Sequence, residues 1–299
     1  MFRHSPSPLA AEQRSSPPYP LRPALVRHRV FGAGSPFNKA NLPYLYDMAK
    51  FNKVTVRPDF DPDTARCNSH ADMARGLVEL LPPLEQVDAI LVAYGIPEMA
   101  ATAPAFVMNT LLPSATMAFT VSDQGIVAPH SALRLAGEFA KSSGFRRILL
   151  VVLEVATLPC DTEPPPETVP SRDSAVAVLL EEAEGGTGTA VRQRTGVNSR
   201  TLPEALRDEL EVLLDGRDPA AVVCGATVAP ESVPDRFPVR AAAREFPGTG
   251  TWAALGALER ATREDDRPVV LVDYEPLLGY LCLARMERPV SSASAEVIP

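Results

Sequence analysis

Short, unbroken apolar runs that alternate with capped amphipathic segments constrain this chain most tightly. Asp88-Ala89-Ile90-Leu91-Val92-Ala93-Tyr94 is too short and too continuously apolar for a surface helix. It reads as a strand buried on both faces, the signature of a sheet covered by helices on each side. Similar runs stand at Met117–Val121, Ile148–Leu153 and Ser174–Leu180. Between them lie a helix with Ser69 as cap and Asp72 three residues on, carrying Ala71, Ala74, Leu77, Val78 and Leu81, then helices over 98–111 and from Gly125 to Ser142. Pro82-Pro83 ends the first of these. A strand at 25–31 precedes the series, and 35–66 is irregular.

The order then repeats. A strand at Ala190–Thr195 leads to Thr201 and Glu204, spaced as a capping box. The helix that follows places Leu206, Leu210, Leu213 and Leu214 on one face and ends at Gly216. A strand at Ala220–Cys224, helices near 235–245 and over 250–262, and paired strands Val269–Tyr274 and Leu278–Ala284 complete the copy. Each half runs strand, helix, strand, helix, helix, then a pair of strands, with one short internal strand indistinct in the second copy. The expectation is two similar α/β halves, residues 25–183 and 184–289, packed as a layered sandwich that shares helices at its centre. Residues 1–24 are a Pro- and Ser-rich arm and 290–299 a flexible tail.

Composition removes several function classes. The net charge is −8, and no Lys/Arg run exceeds a pair such as Arg146-Arg147, so the clustered positive charge of a nucleic-acid binder is lacking. No apolar run approaches the ~20 residues of a membrane span. No apolar leader opens the sequence, so a cytoplasmic protein is expected. Cys67, Cys160, Cys224 and Cys282 are far apart, without a disulfide framework or CxxC pair, and His4, His28, His70 and His130 show no ligand spacing. Neither a metal nor a cofactor is expected. Gly248-Thr249-Gly250-Thr251-Trp252-Ala253 matches the dinucleotide pattern GxGxxA, but a helix end and Pro247 precede it where the pattern requires a strand.

Several strings resemble the β-ketoacyl-ACP synthase III family, whose members have the thiolase fold. These are Asp88–Val92, Met117–Ser122, Ala132–Ala136 and Arg147–Val152, with Arg172-Asp173-Ser174-Ala175-Val176-Ala177-Val178 similar to the family's Asp-Gly-Ala-Gly-Ala strand. Tyr280-Leu281-Cys282-Leu283 is similar to the end of the second half. The resemblance spans residues 25–288 and implies a thiolase-like αβαβα sandwich. It implies a catalytic Cys at the N-terminus of the first half's central helix, where the helix dipole and unpaired N–H groups lower a thiol pKa. Here that position is Gly125, preceded by Asp123-Gln124. The family's His falls at Cys224-Gly225-Ala226-Thr227, and its Asn at Gly248-Thr249-Gly250-Thr251, with Thr249 or Thr251 the nearest polar residue. The residues equivalent to Cys, His and Asn are thus Gly125, Cys224 and Thr249, and Claisen condensation should be absent.

The remaining candidates carry two readings each. Gln124 either holds a thioester carbonyl or enolate, as in the type II polyketide chains where Gln replaces the nucleophile, or caps the helix. Cys224 is a relocated nucleophile or a buried small hydrophobe. Ser122 and Asp123 stand near His130, but residues this close in sequence rarely converge as a triad, and His130 is expected on a helix surface or interface. Two functions follow. A non-catalytic subunit would pair with an active ketosynthase, or with itself, through Met117–Val121, the strand by which family members dimerise, and would handle acyl-ACP or acyl-CoA in polyketide or fatty-acid-type metabolism. Alternatively, an atypical acyltransferase, decarboxylase or thioester hydrolase would bind the pantetheine arm at Ser122–Gly125 and use Gln124, Thr249 or Thr251 as polar supports.

Overall fold

The computed structural model describes residues 18–84, 86–96, 100–156, 158–183, 188–258 and 267–289. Strand β1 (Leu21–Val30) is followed by short β2 (Ser35–Pro36), helix α1 (Leu42–Phe51), short β3 (Thr55–Val56) and β4 (Arg66–Cys67), and α2 (His70–Val78). Then come β5 (Ala89–Tyr94), α3 (Pro104–Leu111), β6 (Met117–Val121), a 3-10 turn (Gly125–Val127) running into α4 (Ala128–Ser143), β7 (Arg147–Glu154), short β8 (Cys160–Asp161) and β9 (Ser174–Glu182). The second half holds β10 (Ala190–Arg194), α5 (Leu202–Leu214), β11 (Ala221–Cys224), β12 (Val239–Ala241), α6 (Gly250–Gly256), β13 (Val269–Glu275) and β14 (Tyr280–Met286).

The main sheets have the orders β1-β9-β7-β5-β6 and β10-β14-β13-β11-β12. Each reads first, fifth, fourth, second, third in its own half, so the halves share one topology. The inner three strands of each sheet are almost wholly buried because both faces are covered. α2 and α3 pack on the outer face of the first sheet, and α5 on the outer face of the second. α4 and α6 lie between the sheets, with Leu133, Trp252 and Leu255 in one cluster with Leu150, Val178, Val223 and Leu271. This is the expected five-layer αβαβα sandwich of two similar halves.

Several local expectations are corrected. The chain joins the fold before Leu25: Tyr19 is buried against Gly137 of α4, its hydroxyl donates to Glu138 (2.9 Å), and Leu21 to Pro23 pair with β9. Pro23 stands at a shift in register between Pro23 and Leu25 on the edge strand of the sheet, the kind of position where proline is tolerated. The stretch 35–66 contains α1, obscured by Pro43 at its first turn and by having only Leu45 and Ala49 buried. Where a helix near 235–245 was expected, β12 pairs parallel with β11 (Val222↔Val239), supplying the indistinct strand of the second copy. Thr201 makes no side-chain cap to α5; Asn198 instead accepts from the N–H groups of Arg200 and Thr201. α3 starts at Pro104, and the ends of two expectations, 98–99 and 259–262, lie outside the described residues, as do 1–17 and 290–299.

Candidate functional site

The turn from β6 into α4 is forced by two left-handed residues, Asp123 (φ 64°) and Gly125 (φ 55°). Gly95 lies so close beneath it that a Cβ there would come within 2.8 Å of the Gly125 carbonyl oxygen. On the other side stands Glu275, the last residue of β13. Its Oε2 accepts from the Ile126 N–H (3.1 Å) and its Oε1 from the Leu277 N–H (3.0 Å). A Cβ at Gly125 would lie 1.9 Å from Glu275 Oε2 and 2.5 Å from its Cδ. The Glu275 carboxylate therefore occupies the space that a side chain at position 125 would need. It satisfies the Ile126 N–H in the turn that runs into α4, where negative charge is favoured. Burial nevertheless pushes its carboxyl above the usual range, and the two N–H groups oppose that shift.

The structure disperses the residues singled out in the sequence. Ser122 donates to Asp123 (2.9 Å), and both line a cleft of about 250 Å³ whose other walls include Tyr44, Met48 and Phe51 near α1 and Tyr94 of β5. Gln124 neither faces this cleft nor caps the helix through its side chain, because its Oε1 accepts from Ser131 on α4. Cys224 is buried in the outer cluster with Leu206 and Leu210, away from the central helices, and burial pushes its thiol up to about 12. A thiol held there is not a nucleophile. Thr251 donates to Asp273 (2.9 Å) in the central layer, and Thr249 faces Glu154.

Three polar residues, His130, Asp273 and Glu154, meet at the seam between the halves. Of the two places expected for His130, a helix surface or an interface, it takes the second: on α4 it is 1% exposed where the halves meet, bonds Asp273 through Nε2 (2.8 Å) and meets Trp252 edge to face at 5.3 Å. Gly225 lets Asp273 fit, since a Cβ there would lie 2.0 Å from its Oδ1. Glu154, at the end of β7, accepts from Gly248 N–H (2.5 Å), Thr249 N–H (3.2 Å) and Thr249 Oγ1 (2.8 Å). Burial outweighs these three donors and the carboxyl is pushed up to about 7. Asp273, Glu275 and Glu154 share a signal visible in sequence: each is an acid set into or ending an apolar strand, where an unpaired charge is costly. No cluster of His, Cys, Asp and Glu among the described residues is arranged to hold a metal ion.

Two parallel-centred sheets in the same strand order, three helical layers, and a turn leading from β6 into a buried central helix define a thiolase-like fold. Solved structures bear this out. A 3-oxoacyl-(acyl-carrier protein) synthase from Burkholderia xenovorans LB400 is similar at a TM-score of 0.60 and 15% identity, over 92% of this chain and 96% of that one. β-Ketoacyl-[acyl carrier protein] synthase III from Thermus thermophilus is similar at 0.58 and 16%, over 92% and 100%. The priming β-ketosynthase of the R1128 polyketide pathway is similar at 0.56 and 15%, over 93% and 98%. Neither a protein-family model nor a curated protein sequence matches the chain. The chain thus has the fold of ketosynthase III enzymes. No helix among the described residues is long and apolar enough to cross a membrane.

Proposed function

We propose that this protein is a ketosynthase III-like pseudoenzyme that handles acyl-ACP or acyl-CoA thioesters in the cytoplasm, without Claisen condensation, as the non-catalytic partner of an active ketosynthase. One observation carries the reading: the Glu275 carboxylate fills the place of a side chain at Gly125 and takes the Ile126 N–H in the turn that leads into α4. A thiolate nucleophile at this point needs room, positive potential and free donors. Here a carboxylate has taken the donor and raises, by repulsion, the cost of any second negative charge. Cys224, buried with a raised pKa, offers no substitute, and Thr249 is committed to Glu154.

A pairing surface supports the subunit role. β6 bonds β5 on one side only and is the edge of its sheet. A groove of about 470 Å³ runs along it, lined by Phe106, Asn109, Met117, Phe119 and Thr120, and Phe106 is 70% exposed. An open edge with apolar neighbours is a template for another chain. The same strand carries the dimer contact in the family the chain resembles, so a dimer, with itself or with the ketosynthase, forms there.

The test mixes the purified chain with a ketosynthase encoded beside it, malonyl-ACP and an acyl-CoA donor, and follows complexes by native mass and products by intact mass. The subunit reading expects a heterodimer, no product from the lone chain, and products whose length depends on its presence. Product from the lone chain would overturn it in favour of an atypical acyltransferase, decarboxylase or hydrolase.

A further inference from the structure

A row of side chains separate from the Gly125 turn joins solvent to the centre of the molecule. His28 on β1 is its exposed member, with its ring edge to face on Phe246 at 5.7 Å. His28 Nε2 lies 2.9 Å from Ser174 Oγ, Ser174 Oγ lies 2.9 Å from Thr249 Oγ1, and Thr249 Oγ1 lies 2.8 Å from Glu154 Oε2. Ser174 and Thr249 are fully buried, and Glu154 is 8% exposed. Each hydroxyl both donates one hydrogen and accepts, so the row can be polarised in either direction. β1, β9 and β7 belong to the first sheet, whereas Thr249 begins α6 of the second half.

We propose that His28, Ser174, Thr249 and Glu154 form a hydrogen-bonded proton relay from solvent to the junction of the two halves, and that the seating of the loop before α6 on the first sheet follows the protonation of Glu154 at its inner end. With Glu154 protonated, its proton passes to Thr249 Oγ1 as that hydroxyl passes its own to Ser174, and Ser174 passes its own to His28 Nε2. The imidazolium then releases Nδ1–H to solvent, and the net change is one proton lost from Glu154. Burial raises Glu154, and the covering of one side of the His28 ring, which packs on Phe246, lowers His28, so the ends draw together in acidity.

The charged groups around the path leave it intact. Asp273 on β13 acts on Glu154 and raises it further, while His130 of α4 is held by Asp273. Asp173 beside Ser174 accepts from Ala156 N–H and Asn68 Nδ2, both at 2.7 Å. On β1, Arg27 donates to the Val26 carbonyl and Arg29 pairs with Glu79. Arg244 and Glu245, on the loop before α6, are exposed. α6 itself carries no charged residue. Because burial outweighs hydrogen bonding at Glu154, ionisation favours the opened, hydrated junction.

The experiment uses the full chain with isotope-labelled histidine and needs no acyl substrate. His28, assigned by loss of its signal in His28→Asn, should titrate in two steps, its own and that of Glu154. The second step should vanish in Glu154→Gln and also in Ser174→Ala, which keeps both ends but breaks the path. Thr249→Val gives the same break should Ser174→Ala fail to fold. In the unmodified chain, amide-exchange protection at Gly248 and Thr249, corrected for intrinsic rate, should fall by up to roughly tenfold per pH unit between 4.5 and about 7, and Glu154→Gln should flatten it. A single His28 step unmoved by Glu154→Gln, or a second step that survives the broken path, would overturn the proposal.

Discussion

Introducing a single carbon at position 125 tests whether the Glu275 carboxylate fills the space beside Gly125. In Gly125→Ala the new Cβ would sit 1.9 Å from Glu275 Oε2, 2.5 Å from Cδ and 3.0 Å from Cγ, so the whole carboxylate must leave. Its departure gives up the bonds from Ile126 N–H and Leu277 N–H. With partial rehydration this costs about 2–3 kcal/mol for the pair. The φ of 55° adds about 1–2 kcal/mol for a residue bearing a Cβ. The sum is roughly 3–5 kcal/mol, a fall in Tm of about 10 °C for a chain of this size. Glu275→Ala alone should cost about 2–3 kcal/mol for the same lost bonds. The double variant should then be little worse than Gly125→Ala, giving a coupling energy of about 2–3 kcal/mol in a double-mutant cycle measured by urea unfolding. Strict additivity within about 0.5 kcal/mol, or a Gly125→Ala variant as stable as the parent, would refute the reasoning.

Other outcomes follow from the same structure. Burial pushes the Glu154 carboxyl up to about 7 from an ordinary 4.5, so the folded chain holds its proton through a window where the unfolded chain has lost it. This contribution is fully present below pH 4.5 and is lost as pH rises through 7, a decline of about 3 kcal/mol that Glu154→Gln should abolish in unfolding measured across that range. An alkylating reagent at pH 8 should label half-exposed Cys67 well before Cys160, Cys224 or Cys282, whose thiols burial pushes up, with peptide mapping as the readout. Trp252→Ala should cost about 3–5 kcal/mol, because Trp252 is fully buried between the sheets against the His130 ring, and a calorimetric scan would show it.

How much of this was legible in the sequence depended on how local the cause was. β5, β7 and β9 announce themselves as runs of apolar residues, and the Ser69 cap of α2 is made within four residues, its Oγ accepting from Asp72 N–H at 3.0 Å. α1 was hidden because a small lobe needs only Leu45 and Ala49 from it. β12 reads as helix until its register with β11 is known, since three residues carry no periodicity of their own. The absence of a side chain at 125 is plain in the sequence, but the carboxylate that packs against it is not. Glu275 and Ile126 are 149 residues apart, His130 and Asp273 are 143 apart, and Glu154 meets Thr249 across 95. Only the packing of one half on the other makes these pairs, and the one local trace is an acid interrupting an apolar strand.

The central claim is that a carboxylate stands where an acyl-accepting thiol would be. The most direct measurement is the intact mass of the 32.1 kDa chain, alone, after exposure to acetyl-CoA, malonyl-CoA and malonyl-ACP. The account predicts an unmodified mass with every donor. A stoichiometric acyl adduct, mapped by peptide digestion to the Ser122–Gly125 turn or to Cys224, would contradict it.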